Sequence, residues 1–227
     1  MIEKSKERTG AMFNLSEMVE HFLEEAVRLC AENLKEDEAV IGVLDDRSAI
    51  AEVRREEVVK WLNSYKVLQG LNKKEEVGVA SAIIEFADAR DPAVSPTSDM
   101  EITRLFNDLQ SRCSSRVHPN KDQEPRGVTS LASKALWCCY PDAIPFLDNY
   151  AECALVVISR LMGLVWRGHL PRYNRFVAMW LDVYRRVEST IEDRRLDGYP
   201  YKVRVFDKIL WIIGQPDLGS VPYKPEA

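Results

Sequence analysis

The chain has 227 residues, 46% hydrophobic and 30% charged, a balance that suits a globular protein with a sizeable core and excludes extended disorder. No apolar run approaches the roughly 18 residues that span a bilayer, and Met1-Ile2-Glu3-Lys4-Ser5-Lys6 lacks the apolar centre of a signal peptide, so a cytoplasmic protein with no membrane partner is expected. The net charge of −5 is uneven: residues 1–57 hold 15 Asp and Glu against 8 Lys and Arg, which leaves 21 against 23 elsewhere and excludes the strongly basic balance of an obvious nucleic-acid binder.

From Leu15 to about Lys35, Val19, Phe22, Leu23, Ala26, Val27 and Cys30 recur at helical spacing, while Glu17, Glu20, Glu24 and Glu25 take the other side. An amphipathic helix with an acidic face is predicted, and the acidic N-terminal helices are a candidate surface for a protein partner. Ser48–Tyr65 repeats the design, with Ser48 as N-cap and Ile50, Val53, Val58, Trp61 and Leu62 as apolar positions. Lys73–Arg90 carries Val77, Ala80, Ile83, Ile84 and Ala87 and stops at Asp91-Pro92. Three helices are thus predicted before residue 92. A fourth starts at Ser98, where Glu101 completes a capping box ahead of Ile102, Leu105, Phe106 and Leu109. The tract from Ser114 to Arg126 has no apolar period and reads as an exposed loop.

Ser130–Cys139 reads as a short apolar helix carrying one lysine, followed by a Pro141-Asp142 turn and the segment Ile144-Pro145-Phe146-Leu147-Asp148. Asp148 is placed to cap an apolar helix over Asn149–Leu164. Pro171–Arg195 is predicted as one long helix with Tyr173, Phe176, Val177, Trp180, Leu181 and Tyr184 inward, and Val203–Ile213 as the last, stopped by Gly214-Gln215-Pro216. Residues 215–227 read as a loose tail. No period-2 series occurs, so the expected fold is all-α, with roughly eight helices in one domain. Within that one domain, residues of about 1–113 and about 126–214 are candidates for an N-terminal helical lobe and a motif-bearing lobe.

Cys30, Cys113, Cys138, Cys139 and Cys153 are odd in number and lack metal-type spacing, so they read as reduced core residues, with a Cys138-Cys139 redox pair as the weaker alternative. His21, His118 and His169 are too scattered for a metal site or histidine catalysis, and no phosphate-binding glycine loop is present. No metal and no cofactor is expected.

The chemistry concentrates between Ser130 and Asp148. A helix over Ser130–Cys139 puts Ser130, Lys134 and Trp137 near one face. Apolar surroundings would lower the Lys134 pKa and make a neutral, nucleophilic amine accessible, while the Asp148 carboxylate would oppose that shift and leave its net direction open. At a helix N-terminus the Asp148 carboxylate stays ionised. An amine nucleophile beside a fixed carboxylate is the pairing that displaces a base from a sugar and stabilises the cation formed. A lysine that snorkels to the surface and an aspartate that only caps its helix are the plainer reading of the same residues.

Lys134, the turn, and Ile144-Pro145-Phe146-Leu147-Asp148 followed by an apolar helix resemble the catalytic region of the helix-hairpin-helix DNA glycosylase superfamily, especially its divergent bacterial 8-oxoguanine glycosylase-like branch. The resemblance covers about Arg126 to Leu155, and Val203 to Trp211 is similar to the terminal helix of that branch. It implies a two-lobed helical architecture, DNA as partner, excision of a damaged base such as an oxidised purine, and catalysis by Lys134 with Asp148 or by Asp148 alone. Two departures stand out. The Leu-Pro-Gly-Val-Gly hairpin is absent, with Arg126-Gly127-Val128-Thr129-Ser130 in its place, and the family's lysine position is matched more nearly by Ser130 than by Lys134. A serine there suits a base-removing enzyme without lyase activity and equally a protein that has lost catalysis.

Arg126 and Ser130 are then candidate DNA contacts, together with Arg160, Arg167, Arg172 and Arg175 from a region with no acid between Leu161 and Arg175. Trp137 is the candidate base-stacking residue. The rival reading is a catalytically inactive helical interaction module that keeps the fold, since acidic N-terminal helices repel a duplex.

Overall fold

The computed structural model describes residues 14–91, 93–118, 128–165, 167–192, 196 and 198–216, and every regular element in them is an α-helix. Ten helices follow among the described residues: α1 (Leu15–Ala31), α2 (Leu34–Asp45), α3 (Ala51–Ser64), α4 (Lys73–Ala89), α5 (Asp99–Ser114), α6 (Thr129–Cys139), α7 (Asn149–Leu161), α8 (Arg172–Tyr184), α9 (Glu188–Glu192) and α10 (Lys202–Ile213). None of the described helices is long and apolar enough to cross a membrane.

Several boundaries follow the local chemistry. Ser98 accepts from the Glu101 backbone and Glu101 reaches back to the Ser98 N–H, closing the expected capping box. Asp148 caps α7 by accepting from Tyr150 N at 2.9 Å. Past the end of α7, Gly163 adopts φ +66° and Leu164 N donates back to Ser159 O at 2.8 Å, a reversal that only glycine makes without steric cost.

The two additional helices have separate causes. In α2 the inward stripe is Asp37, Val40 and Leu44, so a buried aspartate sits where the apolar period demands a hydrophobe and conceals the helix. The single helix expected over 171–195 is instead α8 and α9, with Arg186 N and Val187 N bonding three residues back, to Val183 O and Tyr184 O. No Gly or Pro marks that break. Val187 and Ile191 are both buried, and α9 packs on α1, so tertiary burial sets the bend. Residues 193–195 lie outside the described residues, as do Pro92 and, with residues 119–127 and 217–227, most of the expected exposed loop and of the tail.

Three expectations at α3 and α4 are corrected. The N-cap of α3 is Ile50, while Ser48 instead donates its N–H and hydroxyl to Asp46 Oδ1 in an Asx turn. Ile50 is 72% exposed, Val53 52% and Val77 49%, because the buried stripes run through Arg54, Val58, Trp61 and Leu62 and through Val79, Ala80, Ile83 and Ala87.

Packing does not follow chain order. The first helix leaves its sequence neighbours and lies on α10 and α9, whereas α6 packs between α2 and α5. Buried side chains form one continuous core, with Trp61 and Trp137 stacked at 6.2 Å between centroids and Phe146 edge-on to both. All five cysteines are free; Cys138 and Cys139 are buried, and burial drives the Cys138 thiol up and that of Cys139 to about 12, so neither supplies a thiolate at neutral pH.

The ends of α10 and α7 meet without a gap. A Cβ on Gly214 would lie 1.9 Å from Tyr150 O, a contact backbone atoms cannot accept. Gly214→Ala is expected to force the two ends apart at a cost of about 1–3 kcal/mol. A melting temperature within error of the parent would show that the closure is not tight.

Candidate functional site

Four chain segments converge on a cleft of about 400 Å³. The turn after α3 contributes Tyr65 and Lys66, α6 contributes Ser130 and Lys134, the segment into α7 contributes Phe146 and Asp148, and α10 contributes Arg204, Asp207, Lys208 and Trp211. Lys134 and Asp148, fourteen residues apart in sequence, therefore line one open cleft.

Lys134 reaches this cleft from inside an almost wholly buried helix. Every residue from Leu131 to Cys139 is buried, and Lys134 is 6% exposed. Its ammonium donates to Ser130 Oγ at 2.9 Å, one helical turn back, and stands 5.5 Å from the Phe146 ring centroid. Burial is the largest influence on its pKa and pushes it down; Asp148 opposes, Arg204 adds to the fall, and the outcome is about 8.

Asp148 is delivered by two backbone ties. Phe146 N donates to Asp207 Oδ2 at 2.7 Å, and Leu147 N donates to Ser133 Oγ at 3.2 Å. Helices α10 and α6 thus hold the strap that ends on Asp148. Asp207 also accepts from Trp180 Nε1 at 2.7 Å. Its own burial raises its pKa to about 7 against the pull of Arg204 and these two donors.

The remaining expected residues are distributed differently. Ser130 is exposed at the cleft edge, and Arg126 lies outside the described residues. Trp137 is fully buried against Trp61, Phe146 and Tyr201, so it faces the core and offers no ring to a ligand. Trp211 lines the cleft together with Tyr65 and Phe146, with Lys208 Nζ 4.5 Å from its centroid. Arg160, Arg167, Arg172 and Arg175 do not line the cleft. Although their own stretch of sequence lacks acids, Arg167 meets Asp182 at 3.1 Å and Asp99 at 3.7 Å. Arg172 and Arg175 meet Glu152 at 2.7 and 3.5 Å. Folding brings acids from α5, α7 and α8 against this basic run and dissipates its charge.

Sequence reasoning gave no role to Arg204, Asp207, Lys208 or to Tyr65 and Lys66. The signal was present on α10, where polar residues at 204, 207 and 208 and Trp211 follow i, i+3, i+4, i+7 spacing among Val203, Val205, Phe206, Ile209 and Leu210. Among the described residues no group of three or more His, Cys, Asp or Glu is arranged to hold a metal. No family model, no curated protein and no solved structure matches this chain.

Proposed function

We propose that the chain is a DNA base-excision glycosylase of the helix-hairpin-helix kind, acting on a damaged base such as an oxidised purine. The observation that carries this reading is the convergence of Lys134, with a pKa near 8, and Asp148 in one open cleft. Neutral Lys134 attacks sugar C1′ as the glycosidic C–N bond breaks and the base leaves with that electron pair. Asp148 stabilises the positive charge that develops on the sugar. After the attacking amine sheds a proton, ring opening gives an imine that borohydride reduces. A two-lobed architecture is part of the proposal. It is supported by the denser packing within α2–α6 and within α1 with α7–α10, bridged by α5 on α8, with cleft residues drawn from both groups.

Asp148→Asn is the direct test, because asparagine caps a helix nearly as well as aspartate but carries no charge. The expected result is loss of base release from duplexes carrying 8-oxoguanine at a melting temperature within a few degrees of the parent. Retained base release would sink the proposal.

The second reading is a catalytically inactive interaction module. It is favoured by the exposed acidic face of α1, where Glu17, Glu20 and Glu24 stand in solvent, and by the acids that neutralise Arg167 and Arg172.

A further inference from the structure

Arg204 is 7% exposed, and among the described residues no carboxylate forms a direct ion pair with it, although the buried Asp207 and Asp37 carboxylates act on it from further off. Its guanidinium lies 3.9 Å from the Phe146 ring centroid and 5.5 Å from that of Tyr65, two adjacent rings that pack against it while it lines the cleft. A guanidinium taken this far from water is costly unless an anion meets its N–H groups. Lys208, one turn along α10, lines the same cleft. Lys66 does so from the turn after α3, and it adopts φ +56°. That left-handed position closes α3 through Val67 N bonding to Leu62 O, and glycine would occupy it without strain. A lysine there costs backbone energy, and the residue lines the cleft rim.

Charge sets the kind of ligand. The lining carries Lys66, Lys134, Arg204 and Lys208 against Asp148 and Asp207, four cations to two carboxylates. This formal surplus of two, which partial protonation of Asp207 enlarges and partial deprotonation of Lys134 reduces, matches a phosphate monoester, with about −1.5 to −2 near neutral pH, better than a carboxylate or an internal phosphodiester. The guanidinium fork suits phosphate oxygens, and a volume of about 400 Å³ leaves room for a nucleoside beside the phosphate.

We infer that the cleft binds a terminal phosphate monoester of a nucleotide, with Arg204 as its buried anchor and Lys208 and Lys66 as its outer contacts. The site stands whether or not the protein excises bases. Its phosphate comes either from a free mononucleotide or from the 5′ end of a DNA strand.

Calorimetric titration at fixed ionic strength tests this with inorganic phosphate, dGMP and deoxyguanosine, and with duplexes bearing either a 5′-phosphate or a 5′-hydroxyl. Inorganic phosphate is expected to bind and to compete with dGMP, and dGMP to bind about tenfold or more tightly than deoxyguanosine. Preference for the 5′-phosphorylated duplex identifies a strand end as the source, whereas preference for dGMP alone identifies a free nucleotide. Lys66→Gly, which relieves the left-handed strain, and Lys208→Gln are each expected to weaken dGMP several-fold in a protein that remains folded by circular dichroism. Arg204→Gln is expected to abolish the discrimination between dGMP and deoxyguanosine. Equal binding of those two by the parent, no binding of dGMP, or unchanged affinity in both lysine variants overturns the phosphate site. Base release measured in parallel separates the two proposals: phosphate discrimination without base release upholds this site and removes excision, while base release without discrimination removes this site alone.

Discussion

Lys134 is expected to behave as a free amine close to neutral pH. With its pKa near 8 rather than 10.5, about half of it is uncharged at pH 8, against well under 1% of an ordinary lysine, a gain of about 100-fold in nucleophile. Reductive alkylation by a small aldehyde and borohydride, located by mass spectrometry, is expected to climb at Lys134 from pH 6 and level off just above 8. Exposed lysines should continue to climb past pH 10. On duplexes carrying an abasic site or 8-oxoguanine, the borohydride-trapped crosslink should disappear in Lys134→Gln and persist in Ser130→Ala, which removes only the acceptor of the Lys134 hydrogen bond. A crosslink that survives Lys134→Gln would assign the chemistry elsewhere. The same shift has a stability sign. The unfolded chain holds this proton up to about pH 10.5 and the folded chain releases it near 8, so stability rises with pH across that window by roughly 3 kcal/mol. Lys134→Met should flatten this rise.

Asp207→Ala is expected to be the most destabilising change in the cleft. Truncation leaves the indole N–H of Trp180 and the backbone N–H of Phe146 buried without their acceptor, each at a cost of about 1–3 kcal/mol, and opens a void between α8 and α10. A total of about 3–5 kcal/mol is expected, or a fall in melting temperature of roughly 10 °C or more. Asp207→Asn retains one carbonyl acceptor and should lose about half as much. The folded pKa, near 7, lies above the ordinary 3.8, so the share of stability linked to this proton is complete below about pH 4 and is lost as pH rises through 7. That decline should be missing from Asp207→Asn. A melting temperature for Asp207→Ala within about 2 °C of the parent would show that the two donors find other acceptors. Because Phe146 N is one of the two ties on the strap that delivers Asp148, any activity dependent on Asp148 should fall with Asp207→Ala even where the protein remains folded.

The amino-acid sequence by itself determined what local chemistry controls. Helical apolar periods fixed an all-α chain, Ser98 with Glu101 and Asp148 before Asn149 fixed two helix starts, and Gly214 marked the end of the last helix. It also placed Lys134 on an apolar helix, but left open whether the amine is buried or snorkels to the surface; the fold decided for burial. Only the tertiary structure decided where charges meet. Asp37 hid α2 because a buried aspartate breaks an apolar period, and its partners, Trp61, Tyr65 and Tyr199, come from 24 to 162 residues away. Arg167, Arg172 and Arg175 of the acid-free run were met by Asp99, Asp182 and Glu152, and Trp137 turned to the core, where Trp61 stacks on it and Phe146 meets it edge-on. Arg204, Asp207 and Lys208 became cleft residues because α10 is clamped between α1 and α7 with one polar stripe left facing Lys134. Side-chain periodicity reports which face of a helix is buried, but the occupant of the opposite face depends on contacts distant in sequence, and those the fold alone supplies.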